Sequence, residues 1–386
     1  MDRALTPFIQ QDLKKKMVFL TGPRQAGKTT LAQQLAKAYH QPQILNWDVI
    51  ADQRVIQQQS WRPDAPLLVF DELHKMADWR TWLKGVYDGK PSHQSLLVTG
   101  SARLDADCDN NRHGNRQAGE SLAGRYFSWH LNPVTVSELV SVTDVDAEHA
   151  LTALLIRGGF PEPLLAELDT DADRWRRLYL EGLIRDDILE FSKIHEVRAM
   201  RLFVEMLRAR VGSTLSLASM ARDLQVSHTT LMRYLEILEA LHIVFIIRPY
   251  HHNIARAILK EPKVYFYDTG LVLGDQGARF ENATATMLLA HIRFQQDAHG
   301  KTIGLHFIRN KQHKEIDFVL TENHEITHLI EAKHQDARIP RYLAQLAQQF
   351  PRARSLLLVR HLRQPEQRGN VQIEPAAPWL AELSPR

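Results

Sequence analysis

The sequence predicts an α/β protein in which a parallel-sheet domain is followed by a helical stretch and an α+β C-terminal part. Three observations carry this. The apolar runs MVFL, PLLVF and SLLVTG, between Met17 and about Val140, have the length and composition of buried parallel strands, and helical stretches separate them. The string GPRQAGKTT lies between a strand candidate, KKKMVFLT, and a helix candidate, LAQQLAKAY, the strand–loop–helix order of an open α/β sheet. From about Lys263 the pattern turns to a strand VYFYD, a helix read as opening at Glu281, and strands near 303–309, 315–320 and 326–332.

With 386 residues the chain exceeds one ordinary core, so two or three domains are expected. The pattern changes divide it into 1–145, 146–211, 212–270 and 271–386. A formal net charge of +3 neither demands nor excludes nucleic acid; any basic surface has to be local. The single cysteine, Cys108, excludes an intrachain disulfide and multi-cysteine metal sites. Histidines such as His251 and His252 lack a ligand-spaced partner set and read as surface or core residues. The opening MDRALTPFIQQDLKKK has no apolar run of the signal-peptide kind. No apolar stretch approaches the roughly 20 residues that span a bilayer. A cytoplasmic protein with no membrane partner is the expectation.

Gly22 to Thr30 fill the pattern G-x-x-x-x-G-K-[ST] completely, with Pro23, Arg24, Gln25 and Ala26 between the two glycines. Gly22 and Gly27 let successive backbone N–H groups approach phosphate oxygens, and the following helix adds its positive end. Lys28 has the reach for β and γ phosphates, and Thr29 a hydroxyl for Mg²⁺. LLVFDE, about 40 residues on, ends a buried strand in Asp71 and Glu72, where open α/β sheets place ligands. Asp71 is expected in the Mg²⁺ shell and Glu72 beside the attacking water. At the end of SLLVTGSARL, Ser101, with Thr99, is a sensor candidate; turn capping is the plainer reading. Arg125, in ESLAGRY, is a candidate finger for a neighbouring subunit's γ-phosphate or else a surface arginine.

GPRQAGKTTL, VFDELHKMADWRTWLK, TGSARL, ESLAGRY and GGFPEP, in that order, resemble a large bacterial and archaeal AAA+ family whose ATPase is fused to a C-terminal domain long catalogued as of unknown function. The resemblance covers nearly the whole chain. It implies a P-loop AAA+ core, a homo-oligomeric ring such as a hexamer, and a C-terminal fold like the restriction-endonuclease or PD-(D/E)xK nucleases. DADCDNNRHGNRQAG, before Glu120, departs from that pattern as a polar, loop-like insertion.

SLASMARDLQVSHTTLMRYLEILEALHIVFIIRPY resembles a winged helix-turn-helix. Leu217, Met220 and Leu224 fit one apolar helix face, and Ala221 is small enough for a close crossing. Ser227 is the expected N-cap of a second helix on which Leu231, Tyr234, Leu235 and Leu238 recur at helical spacing. Ser227, His228, Thr229, Thr230 and Arg233 would face phosphates and base edges. Winged helices also serve as protein-binding or structural modules.

KEIDFVL sets Asp317 in an alternating strand, and ITHLIEAK sets Glu331 and Lys333 two residues apart and so on one face. A hairpin would bring Asp317 alongside, and Glu315 could share its face. Two carboxylates and a lysine suit metal-assisted phosphodiester hydrolysis, with Asp317 and Glu331 as ligands and Glu281 completing the set from its helix. The spacing resembles the PD-(D/E)xK core, a fold often retained for binding alone. Trp79, Trp82, Leu83 and Val86 recur at helical intervals in KMADWRTWLKGVYD, a core stripe rather than a base-stacking surface. Arg185 and Asp186 read as an intradomain ion pair.

The composite expectation is an ATPase using ATP and Mg²⁺ that binds DNA, including branched or structured DNA, and remodels it. The alternatives are an ATP-gated, Mg²⁺-dependent nuclease and a nucleotide switch that binds a protein partner.

Overall fold

The computed structural model describes residues 1–100, 122–187, 197–251 and 260–385. Two compact units divide the chain, one of residues 1–132 with 240–242 and one of residues 133–239 with 243–386.

The first unit is built on five parallel strands, β1 (Met17–Thr21), β2 (Gln43–Asn46), β3 (Leu67–Asp71), β4 (Ser95–Thr99) and β5 (Tyr126–His130), in the order β2-β3-β4-β1-β5. The apolar runs read as buried strands are β1, β3 and β4, and every residue of β1 and β3 is buried. A strand covered on both faces must be apolar throughout, which is why these segments do not alternate. Inserting β4 between β1 and β3 brings three strand ends together: Thr21 leads into the glycine-rich loop, Thr99 ends β4, and Asp71 ends β3.

The tryptophan helix, Trp79–Gly89, covers one face of this sheet with Trp79, Leu83 and Val86 buried. Trp82 packs edge-on against Phe70 at 5.3 Å between ring centroids. The core reading of that stripe holds, and its aromatic surface is not offered to bases.

In the second unit, eight strands follow the order β12-β13-β11-β10-β9-β8-β6-β7. Their spans are β6 Val244–Pro249, β7 Lys263–Phe266, β8 Ile303–Arg309, β9 Glu315–Glu322, β10 Glu325–Lys333, β11 Arg354–Val359, β12 Glu366–Arg368 and β13 Val371–Pro375. Strands β8, β9 and β10 lie within a few residues of their expected positions and form antiparallel pairs. Ile316, Val319, Leu329, Leu357 and Ile373 join a core under the helix Arg341–Gln349.

Two expectations change here. The helix before β8 runs Gln276–His299, so it opens five residues ahead of Glu281. Asp275 caps it by accepting from the Ala278 N–H at 2.8 Å, and Phe280, wholly buried, already belongs to its packed face. Gly277 disguised that start in the sequence, since glycine is a poor helix former. The strand pair after the helix-turn-helix segment is also no separate wing. β6 pairs antiparallel with β7 and then runs parallel to β8, so both strands extend the large sheet. Arg185 lies exposed in a π-helical turn, Leu183–Asp187. Ser101, Cys108, Glu120, His252 and the polar insertion lie outside the described residues.

The GGFPEP signature has a packing explanation. Gly158 has φ of 74°, and a Cβ there would collide with the Asp268 carboxylate. Asp268 is itself buried, accepts from Arg176 Nε at 3.1 Å and caps a short turn through the Gly270 N–H at 3.0 Å. Only glycine combines that backbone angle with that approach.

Candidate nucleotide site and the C-terminal acidic cluster

The loop between β1 and the helix Lys28–Ala36 bends through left-handed angles at Gly22 (137°), Gln25 (60°) and Gly27 (94°). A Cβ on Gly22 would collide with the Leu131 carbonyl, so the residue is steric necessity as well as flexibility. Gly27 precedes the helix without a side-chain cap, which leaves the first-turn N–H groups to the loop's concave face. Arg3, buried, donates to the carbonyls of Ala26 at 2.8 Å and Asn132 at 2.7 Å and so braces the loop from behind. Its role was not legible, because it lies 23 residues before its first partner.

Lys28 is buried, and its ammonium donates to the carbonyls of Gly22 at 3.0 Å and Pro23 at 2.7 Å. Thr29 Oγ1 donates to Asp71 Oδ2 at 2.9 Å, and Asn46 Nδ2 reaches the same oxygen at 3.3 Å. Thr99 Oγ1 donates to Asp71 Oδ1. Thr29 and Asp71 thus meet as a hydroxyl–carboxylate pair of the kind that binds Mg²⁺ with a triphosphate, and the donor set fits that ion. Thr99, wholly buried, supports Asp71. Asn46 joined the set unforeseen, brought in by the pairing of β2 with β3.

Glu72 takes a left-handed φ of 56° just past β3. Its Oε2 lies 3.5 Å from Lys75 Nζ and 3.7 Å from His74 Nε2. Burial raises its pKa above the ordinary glutamate value, with Lys75 and Lys28 partly opposing the rise. A carboxylate of raised basicity beside a phosphate loop is equipped to take a proton from water.

Arg125 stands at the other end of the strands, beside the start of β1. Its carbonyl accepts from the N–H of Met17, the first residue of β1, whereas the phosphate loop follows the last. Five residues of strand, about 17 Å, separate the two ends. Its guanidinium pairs with Asp88 at 2.8 and 3.0 Å.

The helix-turn-helix segment folds as Leu217–Asp223 and His228–Ala240. Met220 and Ala221 are buried on the first helix, and Leu231, Tyr234, Leu235 and Leu238 on the second. Ser227 accepts from the Thr230 N–H at 2.9 Å, and the two hydroxyls bond at 2.7 Å, so both residues serve the cap. His228, Thr229 and Arg233 are exposed.

In the second unit, Glu281, Asp317, Glu331 and Lys333 do come together. The antiparallel pairing of β9 and β10 brings Asp317 to β10, where its Oδ2 accepts from the Ala332 N–H at 3.0 Å. Lys333 pairs with Glu331 at 2.7 Å. An unforeseen residue, Lys263 of β7, enters the same group. Its ammonium lies 2.5 Å from Glu315, 3.1 Å from Glu281 and 3.6 Å from Asp317. Tyr265 donates to Glu281 at 2.7 Å. Four carboxylates therefore share two ammonium groups, and Arg309 Nε adds a guanidinium 3.8 Å from Glu315. Burial, then the charge of Asp317, pushes Glu281 and Glu331 up to about 7 each. Burial alone would discharge Lys263, but Glu281, Asp317 and Glu315 outweigh it and raise its pKa above the usual lysine value. Among the described residues, no group of three or more His, Cys, Asp and Glu side chains is arranged to hold a metal ion.

Similarity to known proteins follows the same division. Residues 14–140 match the AAA domain family, 148–277 a domain of unknown function (DUF8612), and 276–378 another (DUF4143). The chain is 30% identical over 261 residues to the uncharacterized proteins Mb2031c of Mycobacterium bovis and Rv2008c of Mycobacterium tuberculosis. That match takes in 66% of this chain and 55% of theirs, so the chain spans about half the length of these relatives. It is 19% identical over 203 residues to the uncharacterized protein MJ1544 of Methanocaldococcus jannaschii, covering 48% of this chain and 44% of that one. Two variants of RuvB from Thermotoga maritima align over 62% of this chain and 86% and 88% of theirs, with TM-scores of 0.32 and 0.31 and identities of 18% and 19%. No helix among the described residues is long and apolar enough to cross a membrane. Residues 14–140, with their phosphate loop and β3 carboxylates, are thus similar to the AAA domain family, and residues 276–378 to the DUF4143 domain.

Proposed function

We propose that the chain hydrolyses ATP at the Lys28–Thr29–Asp71–Glu72 site and couples turnover to binding and remodelling of DNA. The single observation that carries the reading is the convergence of Thr29, Thr99 and Asn46 on Asp71 beside the phosphate loop. In this reading the loop N–H groups and Lys28 hold the phosphates, and Thr29 and Asp71 hold Mg²⁺, which neutralises phosphate charge when bound. Glu72 orients the attacking water and accepts its proton.

Arg125 is out of reach of its own chain's loop, so its place as a finger is in a neighbouring subunit's site. A homo-oligomeric ring supplies that neighbour. The exposed His228, Thr229 and Arg233 on one helix support DNA contact, with Ser227 and Thr230 fixing the helix start.

The test is the steady-state ATPase rate with duplex, single-stranded and branched DNA, read beside the sedimenting mass. Stimulation by DNA in a multimeric species is the expected result. A rate indifferent to all three, with no DNA retained at low salt, would replace this reading with the protein-binding switch.

A further inference from the structure

We infer that Lys263 is the resident cation of the Glu281–Glu315–Asp317 cluster and that its ammonium takes the place a divalent metal would occupy among these acids. The inference is independent of the nucleotide and DNA readings above.

The geometry is specific. Lys263 comes from β7, outside the hairpin and helix that supply the acids, yet it is wholly buried and faces three carboxylates at 2.5, 3.1 and 3.6 Å. A divalent ion needs several oxygens closing on one point at about 2.0–2.6 Å, with lone pairs aimed inward. Around Lys263 several of those lone pairs are engaged otherwise, whereas Glu331 Oε2 is buried without a hydrogen-bond partner. Glu281 Oε1 accepts from both Lys263 Nζ and Tyr265 Oη, and Asp317 Oδ2 accepts from the Ala332 N–H. Space is closed as well: a Cβ added to Gly212 would stand 2.7 Å from the Glu281 carboxylate, so that backbone already lies against the acid. The motif's own lysine, Lys333, is engaged with Glu331 at 2.7 Å.

A lysine differs from a metal in one chemical respect. It neutralises carboxylates but has no open coordination position, so it cannot activate water or hold a phosphate oxygen as a Lewis acid. The acids of the C-terminal unit therefore serve an internal ion-pair network. Removing the ammonium returns those acids to a cation.

Manganese(II) titration calorimetry on the full chain, free of nucleotide, tests this with four proteins: wild type, Asp317→Asn, Lys263→Gln and the double variant. The wild-type and Asp317→Asn isotherms are expected to superpose. Lys263→Gln is expected to gain a saturable site that is lost again in the double variant. Asp317-dependent Mn²⁺ binding by the wild type overturns the inference, as does a folded Lys263→Gln protein that gains no site. If circular dichroism shows Lys263→Gln unfolded, the wild-type and Asp317→Asn pair decides alone.

Discussion

Two buried lysines stand at the two chemical centres of this chain, and they are held in opposite ways. Lys28 donates to backbone carbonyls of the loop it belongs to. Lys263 faces three carboxylates drawn from a helix and a strand. A carbonyl dipole orients an ammonium but brings no formal charge against its own. Carboxylates cancel that charge, and the group becomes structure. A lysine among acids at a strand end is thus not in itself a catalytic sign; what the ammonium already neutralises decides.

The difference is sharpest in kinetics at the first centre. Glu72→Gln keeps the shape of the site and removes the proton acceptor. Steady-state turnover is expected to fall about 10²–10⁴-fold while fluorescent-nucleotide binding is retained. Equal loss of binding and turnover would assign Glu72 to holding the nucleotide.

At the second centre the large effect is on stability. Lys263→Met leaves three acids facing one another, and breaking a buried ion pair by removing one partner costs about 3–5 kcal/mol. Chemical denaturation of the full chain is expected to show that loss for Lys263→Met and almost none for Lys28→Ala. Equal, small effects would erase the contrast between the two lysines.

The legibility of these centres in the sequence follows the same physics. The phosphate loop is one contiguous segment whose chemistry dictates nearly every residue, so Gly22, Gly27, Lys28 and Thr29 could be read directly. Period-two alternation was enough to set Glu331 and Lys333 on one face and Asp317 beside them. Lys263 gave no such signal. It lies 18 residues before Glu281 and reaches the cluster only because β6 and β7 extend the large sheet, a long-range pairing that no local pattern encodes. Arg3 was silent for the same reason, and Gly277 misplaced the start of the helix bearing Glu281. The helix-turn-helix core was readable from its 3.6-residue spacing, whereas the fate of its strand pair was not.

The acid surplus of the second centre adds a pH dependence. Burial and the neighbouring Asp317 charge raise Glu281 and Glu331 to about 7 in the fold, from an ordinary glutamate value of 4.5. Raised carboxyl pKa values stabilise the fold fully below the unfolded value, and that contribution is lost as pH rises through the folded value. Unfolding free energy is therefore expected to fall between about pH 5 and pH 8, and Glu281→Gln to flatten that slope. An unchanged slope would place the protons on other groups.

The smallest effect is expected at the exposed helix. Arg233→Ala should weaken DNA binding a few-fold and lower the salt slope of the affinity by about one. A sequence-selective loss with an unchanged slope would move Arg233 from a phosphate to a base edge.

The central claim, that Lys28 is a cation kept for a phosphate, is tested most directly by titrating Mg·ATP into wild-type and Lys28→Ala protein in a calorimeter. The account predicts saturable binding by the wild type and its loss in the variant. No heat from the wild type at millimolar nucleotide, or equal binding by both proteins, would contradict it.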